Sequence, residues 1–290
     1  MINKFPIKEI VVSDANFPSE LTKNNKYLKK IYYRGKWDKK IFEKTISIVG
    51  SRKMTRYGRE IIDNFMPEIV ANKITVISGF MYGIDSYAHE SCLNLGGRTI
   101  AVCGWGLDFT ANDENKKLYE KILKNNGLVM SEYEADFMPT LWSFPQRNKI
   151  VASLATEGVL IVEAGIKSGS LITARLARMM NKRVLAIPGS ITMEMSKGTN
   201  YLIKNNLAEM ILNVGDVLKR KIDNKQMEIF DDVYSKDEKL IVEAIKSGEN
   251  TIDEIVKKSG LDISTVSINL SMMTMNNKIE EENGKYYLIS

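Results

Sequence analysis

Six short apolar runs recur between residues 46 and 187, and each is followed by small or turn-forming residues and then by a helical pattern. The runs cover residues 46–49, 74–77, 99–102, 128–130, 159–162 and 184–187. Strands that alternate with helices build a mostly parallel sheet with helices on both faces. The pattern therefore predicts an α/β fold, with helices that begin near Tyr57, Ile84, Asn115, Phe144, Leu171 and Asn200. Pro67 should kink or end the first of these helices, because proline lacks the N–H that a helix interior needs.

The turn after the first run has the residues of a phosphate site. Gly50 has no Cβ, so main-chain N–H groups and the following helix start can approach a ligand, and such a helix start favours anions. Arg52 and Arg56 add guanidinium groups, which suit phosphate oxygens. For this turn alone, a plain βα turn with solvated arginines remains an equal alternative.

Similar turns follow the other runs. They occupy residues 50–52, 78–79, 104–106, 131–132, 163–165 with 168–170, and 188–189. In an open parallel sheet all these turns meet at the carboxyl edge, where ligands bind at the point of strand-order reversal. A crevice lined by glycine, serine and basic groups should therefore bind a phosphate-type ligand.

Composition limits the classes of protein. The chain of 290 residues has no apolar run long enough to span a membrane and no leader pattern, which indicates a cytoplasmic protein. Two cysteines and one histidine argue against a zinc site or disulfides, and no cofactor or metal is expected. The net charge is +5, yet residues 236–290 carry 7 Lys, no Arg and 10 acidic residues. That segment has a net charge of −3, so the remainder carries +8 and should hold the site for a polyanion.

The charge division agrees with the predicted domains. Residues 1–44 form a lead-in packed on the main domain, residues 45–218 the main domain, residues 219–236 a linker, and residues 237–290 a small domain.

The small domain has the pattern of a winged helix. A helix over 237–247, a second opened by the capping box Thr251–Glu254 and a third capped by Ser264 precede a hairpin at Asn283-Gly284. Winged helices usually read DNA, but the third helix has no Lys or Arg and residues 280–282 are glutamates. The partner of this domain, DNA or protein, stays open.

A series of short motifs stands in a defined order along the chain. They are Val49-Gly50-Ser51-Arg52, Ser78-Gly79, Gly83-Ile84-Asp85, Ala88-His89, 97–102, Gly104, 106–108, Ser131-Glu132-Tyr133, Phe144-Pro145-Gln146-Arg147-Asn148, Val162-Glu163-Ala164, 168–174, Pro188-Gly189 and Gly198-Thr199-Asn200. With this series the chain resembles the DNA-processing protein A family, DprA, also called Smf.

The resemblance implies an extended Rossmann-like domain that binds single-stranded DNA, dimerises and helps to load RecA recombinase in natural transformation. The family is not known as an enzyme. The residues that we expect at the DNA site are Gly50, Ser51, Arg52, Lys116, Lys117, Phe144, Arg147, Asn148, Ser168, Gly169 and Ser170.

The chain departs from the family pattern at three places. Ala111-Asn112 stands where Tyr-Pro is common, Met81 where alanine is common, and Lys149 where a second arginine is usual. A role outside transformation, in general recombination or a mobile element, therefore stays open.

Single-strand binding needs aromatic faces for bases beside a basic groove. Trp105, Trp142 and Phe144 are candidates, and core packing is an equal alternative for Trp142 and Phe144.

Two polar residues raise the question of catalysis. His89 follows Asp85 by four residues on a predicted helix, and we expect a structural hydrogen-bonded pair because no nucleophile motif accompanies it. Glu163, at a strand end, is suited to bind a ribose or to hold the loop of residues 168–170, and we expect the second role.

Two other functions compete with single-strand binding. A phosphoribohydrolase-type enzyme would use a similar scaffold, but residues 188–191 lack the Pro-Gly-Gly-x-Gly-Thr segment of that class. A transcription regulator would act through the winged helix, against which the acidic tail argues.

Overall fold

The computed structural model describes residues 4–109, 113–218, 235–276 and 278–288. The chain divides into two compact units, residues 1–220 and 221–290. Among the described residues, none of the helices combines the length and the apolar character needed to cross a bilayer.

The first unit contains a nine-stranded sheet in the order β1-β2-β6-β5-β4-β3-β7-β8-β9. Its strands are β1 (Lys8–Val11), β2 (Lys30–Gly35), β3 (Thr45–Val49), β4 (Thr75–Ser78), β5 (Thr99–Cys103), β6 (Leu128–Ser131), β7 (Gly158–Ile161), β8 (Val184–Ala186) and β9 (Glu209–Met210). All neighbouring pairs from β6 to β9 are parallel, whereas β1 and β2 are antiparallel. The α/β fold with a mostly parallel sheet is confirmed.

Helices connect the strands as the periodicity predicted. They are α1 (Ser19–Asn24), α2 (Arg56–Ala71), α3 (Ile84–Asn94), α4 (Asp113–Lys124), α5 (Ser143–Leu154), α6 (Ser170–Met179), α7 (Lys197–Lys204) and α8 (Val214–Val217).

Helix α2 does not end at Pro67, which contradicts one of the two expected outcomes. The helix continues to Ala71 and buries Ile62, Met66 and Ile69 against the sheet. Burial of three such side chains stabilises the helix by several kcal/mol, at about 1.5 to 3 kcal/mol each, which outweighs the single hydrogen bond that proline removes.

The two faces of the sheet pack against different helices. Ile46 and Ile48 of β3 point into a cluster that includes Ile62 of α2 and Ile84 of α3. Val49 points the other way, into a cluster with Ile150 and other residues of α5 and α6. This alternation follows from the period of two along a strand, and it explains why the runs are mostly apolar on both faces.

The strand order reverses beside β3. The chain builds β4, β5 and β6 on one side of β3 and then returns to place β7 on the other side. Ile48 of β3 lies opposite Leu160 of β7 in the register. A crevice is expected where connections leave two adjacent strands in opposite directions.

Residues before β3, predicted only as a lead-in, contribute two strands to the main sheet. Strands β1 and β2 extend the sheet beyond β6, where Tyr33 pairs with Met130. Leu21 of α1 and Ile31 of β2 are fully buried in the core of the first unit.

The described part of the second unit contains three helices and a hairpin, α9 (Lys236–Lys246), α10 (Ile252–Ser259), α11 (Ile263–Met275), β10 (Ile279–Glu282) and β11 (Lys285–Leu288). The capping box of Thr251 with Glu254 is present. The N-cap of α11 lies two residues earlier than predicted, because it is Asp262, rather than Ser264, whose side chain accepts the N–H of Thr265. Lys236, predicted as the last linker residue, begins α9, and Ser235 is its N-cap. The rest of the predicted linker and Asn277 lie outside the described residues. The winged-helix assignment stays a prediction.

His89 of α3 is buried behind the carboxyl edge of the sheet. Its Nε2 donates to the carbonyl of Gly79 at 2.7 Å, and its Nδ1 contacts the hydroxyl of Thr99. The expected pair with Asp85 is therefore wrong. The carbonyl can only accept, so Nε2 carries the proton of the neutral ring. Burial lowers the pKa of His89 to about 4.

We predict that His89 makes stability fall in acid. The unfolded ring takes a proton near pH 6.5 but the folded ring only near pH 4, so its contribution is present above pH 6.5 and is lost as the pH falls toward 4. Compared with His89→Gln, the wild-type chain should lose on the order of 3 kcal/mol of unfolding free energy across that interval. Urea titrations at several pH values measure this difference.

Asp85→Asn is the matched control, because Asp85 should change the free energy of unfolding with pH in the opposite direction to His89. Burial raises the pKa of Asp85 to about 6, so its contribution is present below its unfolded pKa and is lost as the pH rises toward 6. If the free energy of unfolding changed with pH in the same way for the wild type and both variants, the shifted pKa values of His89 and Asp85 would be contradicted.

Candidate functional site

A groove with a volume of about 700 Å³ lies at the carboxyl edge, where β3 and β7 adjoin. Nine of the predicted site residues line it, namely Gly50, Ser51, Arg52, Phe144, Arg147, Asn148, Ser168, Gly169 and Ser170. They come from three separate segments, the turn after β3, the first half of α5 and the start of α6. The structure thus brings together residues that are up to 120 positions apart in sequence.

Arg52 and Phe144 face each other across this groove. The guanidinium carbon of Arg52 lies 5.5 Å from the centre of the Phe144 ring, within the range of a cation–π contact. Trp105 stands edge-on behind Phe144, with ring centres 6.0 Å apart. Arg52 is exposed and Phe144 half-buried, so both remain reachable from the groove.

The other two candidates for base stacking, Trp105 and Trp142, do not present a ring face to the groove. Trp105 is only 4% exposed, so the prediction that it stacks on a base is wrong, and it supports Phe144 instead. Trp142 is 59% exposed but packs edge-on against Tyr133 and Phe137, outside the groove lining.

Arg147 lies at the floor of the groove and is only 3% exposed. Its Nη1 donates to the carbonyl of Val102, and its Nε donates to Oδ1 of Asn148 at 3.1 Å. A Cβ at Gly79 would lie 2.2 Å from Oδ2 of Asp85 and 2.6 Å from Nη2 of Arg147, so both side chains converge on this glycine. Burial lowers the pKa of Arg147, and the nearby Asp85 carboxylate opposes that shift.

The loop before α6 has a pair of hydroxyls at the groove. Ser168 and Ser170 are hydrogen-bonded to each other through their Oγ atoms at 2.7 Å. No side chain caps the helix at Gly169, and Ser170 and Thr173 of its first turn line the groove. The partial positive charge at the start of α6 therefore adds to the side-chain cations of the groove.

Glu163 does not hold the loop of residues 168–170, contrary to expectation. Its carboxylate accepts hydrogen bonds from the backbone N–H and the hydroxyl of Thr55, the N-cap residue of α2. The carboxylate lies so close to Gly58 that a Cβ there would be 2.2 Å from Oε2. The chain's own carboxylate thus occupies the start of α2, where the sequence had suggested a phosphate.

The polar groups of the turn at Ser51 also have hydrogen-bond partners within the protein. The N–H of Ser51 donates to the carbonyl of Glu163 at 2.8 Å, and its hydroxyl contacts Sδ of Met195 at 3.0 Å. The N–H of Lys53 donates to Oγ of Ser51. Any anion in the groove would therefore meet the side chain of Arg52 rather than these backbone groups.

The predicted lysines do not belong to the groove. Lys117 lines a second cavity beside α4, and Lys116 is exposed and lines neither cavity. Helix α4 follows β5 and packs against α3, β6 and β2, so the position of this pair in sequence did not show that it lies outside the groove of Arg52.

Other groove residues were not predicted from the sequence. Lys53 and Lys167 are exposed cations in the lining, and Glu194 and Met195 enter from the segment after β8. Lys53 directly follows Arg52, and Lys167 directly precedes Ser168, so adjacency to the motifs was an available signal. No comparable signal marks residues 194 and 195.

Taken together, the groove has more positive than negative side chains. Arg52, Lys53, Arg147 and Lys167 line it, against Asp85 and Glu194. Glu194 also forms an ion pair with Lys197 at 2.5 Å. The described residues contain no cluster of three or more His, Cys, Asp or Glu side chains that would hold a metal ion.

The departures from the family pattern fall in different places. Met81 lines the groove. Lys149 lines a separate cavity between α1 and α5. Ala111-Asn112 lies outside the described residues.

Several known proteins resemble this chain in sequence. The chain is 37% identical over 215 residues to the DNA processing protein DprA of Streptococcus pneumoniae, which covers 74% of each protein. It is 39% identical over 191 residues to the protein Smf of Synechocystis, which covers 65% of this chain but only 47% of that relative.

Solved structures of the same kind share the fold. The crystal structure of DNA processing protein A from Streptococcus pneumoniae superimposes with a TM-score of 0.68, at 34% identity and 76% coverage of each chain. DNA processing protein A from Helicobacter pylori, described for its single-stranded DNA binding mode, gives a TM-score of 0.64 at 31% identity. The superposition covers 73% of this chain and 94% of the Helicobacter pylori chain.

The sequence model of one protein family matches residues 8–221, which hold all of the groove. Together with the identity to its members, this match shows that the chain belongs to the DNA recombination-mediator protein A family.

Proposed function

We propose that this chain binds single-stranded DNA in the groove, protects incoming or recombining strands and helps to load RecA recombinase on them. It would act as a homodimer in the cytoplasm, without catalysing a reaction. The convergence of Arg52, Phe144 and the start of α6 on one groove carries the proposal. The single-strand binding described for the Helicobacter pylori relative supports it.

The chemistry of the groove suits a single strand. Exposed cations at Arg52, Lys53 and Lys167 are placed to follow phosphates, and the half-buried face of Phe144 can stack on a base. A duplex keeps its bases stacked on each other and offers only its backbone, so it gains nothing from the ring. Preference for single strands is therefore the sharpest property to test.

Arg147 has a separate role in this proposal. Because its guanidinium is buried and hydrogen-bonded to Val102 and Asn148, it fixes the wall that presents Phe144. It also gives the floor of the groove a fixed positive charge.

We predict that Arg52→Ala weakens binding to a single-stranded oligonucleotide at least tenfold near 0.1 M salt, by removing a cation at the groove. The slope of log affinity against log salt should fall by about 0.7, the value for one phosphate contact on a single strand. Fluorescence anisotropy over a salt series measures both quantities.

Arg56→Ala is the matched control. Arg56 has the same charge and follows four residues later, but its side chain is 91% exposed and is paired with Glu60 at 2.8 Å, away from the groove lining. It should leave the affinity and the slope unchanged. Equal affinity of wild type for single strand and duplex, or full affinity of Arg52→Ala, would refute the proposal.

Phe144→Leu should weaken single-strand binding without changing the salt slope. The leucine keeps apolar packing against Trp105 but removes the ring face, and stacking contributes about 1 to 3 kcal/mol per base. The same titrations measure the loss, and thermal unfolding shows whether the variant remains folded. An altered slope would mean that Phe144 acts by positioning Arg52, not by stacking.

The recombinase step is tested separately. The wild-type chain should shorten the lag of RecA ATP hydrolysis on single strands coated with a single-strand-binding protein, and Arg52→Ala should not. An unchanged lag with wild type would refute the loading role alone. Sedimentation at the mass of a monomer would refute the dimer.

A further inference from the structure

A second cavity of about 550 Å³ lies beside the groove in the first unit, among α2, α3 and α4. Its charged and aromatic lining consists of Arg59, Tyr82, Tyr87, Glu90, Lys117 and Lys121. Three cations face one carboxylate, so this cavity, like the groove, favours an anion.

The groove and the second cavity share a wall. Lys53 and Met81 line the groove, and the residues that follow them, Met54 and Tyr82, line the second cavity. The two chain segments touch at Gly83, whose φ is +78° and where a Cβ would lie 2.4 Å from the carbonyl oxygen of Ser51. Only glycine permits this approach, so the wall is no thicker than two packed loops.

Two of the three cations of the second cavity, Arg59 and Lys121, are held in place by contacts within the first unit. The guanidinium of Arg59 lies over the ring of Tyr87, 5.0 Å from its centre. The hydroxyl of Tyr87 donates to the carboxylate of Asp63 at 2.8 Å, and Nζ of Lys121 donates to Oδ1 of Asn94 at 2.5 Å. These contacts orient the cations from α2 and α4 toward the same cavity.

Tyr82 gives this cavity an aromatic surface. The residue is 46% exposed, and it lies on the wall between the two cavities. A cation cluster beside an exposed ring repeats the chemistry of Arg52 and Phe144 in the groove.

We propose that the second cavity holds the next nucleotides of the single strand that occupies the groove. The strand crosses the wall at Tyr82, which stacks on a base, and its phosphates then contact Arg59, Lys117 and Lys121. This inference rests on the proposed function and adds the path of the strand. It also gives Lys117 a place in the site, although that residue lies outside the groove.

The test is a length series of oligothymidylates from about 4 to about 20 nucleotides, titrated against the full chain. Lys117→Ala/Lys121→Ala should bind the shortest strands as wild type does, because these fit the groove alone. Longer strands should bind roughly tenfold to twentyfold more weakly near 0.1 M salt, with a salt slope reduced by about 1.4 for two lost phosphate contacts.

Two further variants separate charge from stacking. Tyr82→Leu should weaken only the longer strands and leave the slope unchanged. Lys124→Ala/Lys204→Ala removes the same charge from α4 and α7 outside both cavities and should match wild type at every length.

The outcomes distinguish the path from the groove itself. A double-lysine variant equal to wild type at every length, while Arg52→Ala still loses affinity, would overturn the path and leave the groove standing. Two short strands bound per chain would also overturn it, because the cavities would then hold separate strands. Full affinity of Arg52→Ala would instead refute the proposed function.

Discussion

The buried carboxylate of Glu163 holds the edge of the sheet on which the groove is built. It lies just past the end of β7, and it binds the N–H and the hydroxyl of Thr55 at the start of α2. The carbonyl of the same residue accepts the N–H of Ser51. One residue thus joins the two neighbouring strands at the reversal of strand order and fixes the turn that carries Arg52. A carboxylate at a helix start is stabilised by the free N–H groups and the helix dipole, so the joint is favourable as well as specific.

The remaining groove residues divide into fixed and reachable groups. Arg147 and Asp85 are buried and lie close together at Gly79, and such a buried arginine is tolerated because its charge is compensated and its N–H groups are hydrogen-bonded. Arg52, Lys53 and Lys167 are exposed and bear the charge that a ligand meets. A rigid floor with exposed cations at its rim suits a flexible polyanion, which can bind without one fixed register.

The two competing functions find little support in the same contacts. Residues 188–191 lack the Pro-Gly-Gly-x-Gly-Thr segment of the phosphoribohydrolase class. Glu163, for which a ribose was the alternative ligand, is hydrogen-bonded to Thr55 instead. In the second unit, α11 has an apolar inner face at Val266, Leu270 and Met273, and its described residues include no Lys or Arg. The positive charge of the chain lies in the first unit, which is where the groove is found.

The sequence by itself determined six of the nine strands, β3 to β8, the helices that follow them and most of the groove, but not β1, β2 and β9. Short apolar runs bounded by turn residues, and helical spacing, are local signals, and Gly50, Ser51 and Arg52 had to meet the segment of residues 168–170 because parallel strands end at one edge. The sequence did not show which partner each polar group takes. Glu163 is hydrogen-bonded to Thr55, and His89 is hydrogen-bonded to Gly79 and Thr99. Lys117 lines a different cavity from Arg52. Hydrogen bonds and cavities depend on distances of a few ångströms between residues remote in sequence, and only the packed tertiary structure decides those.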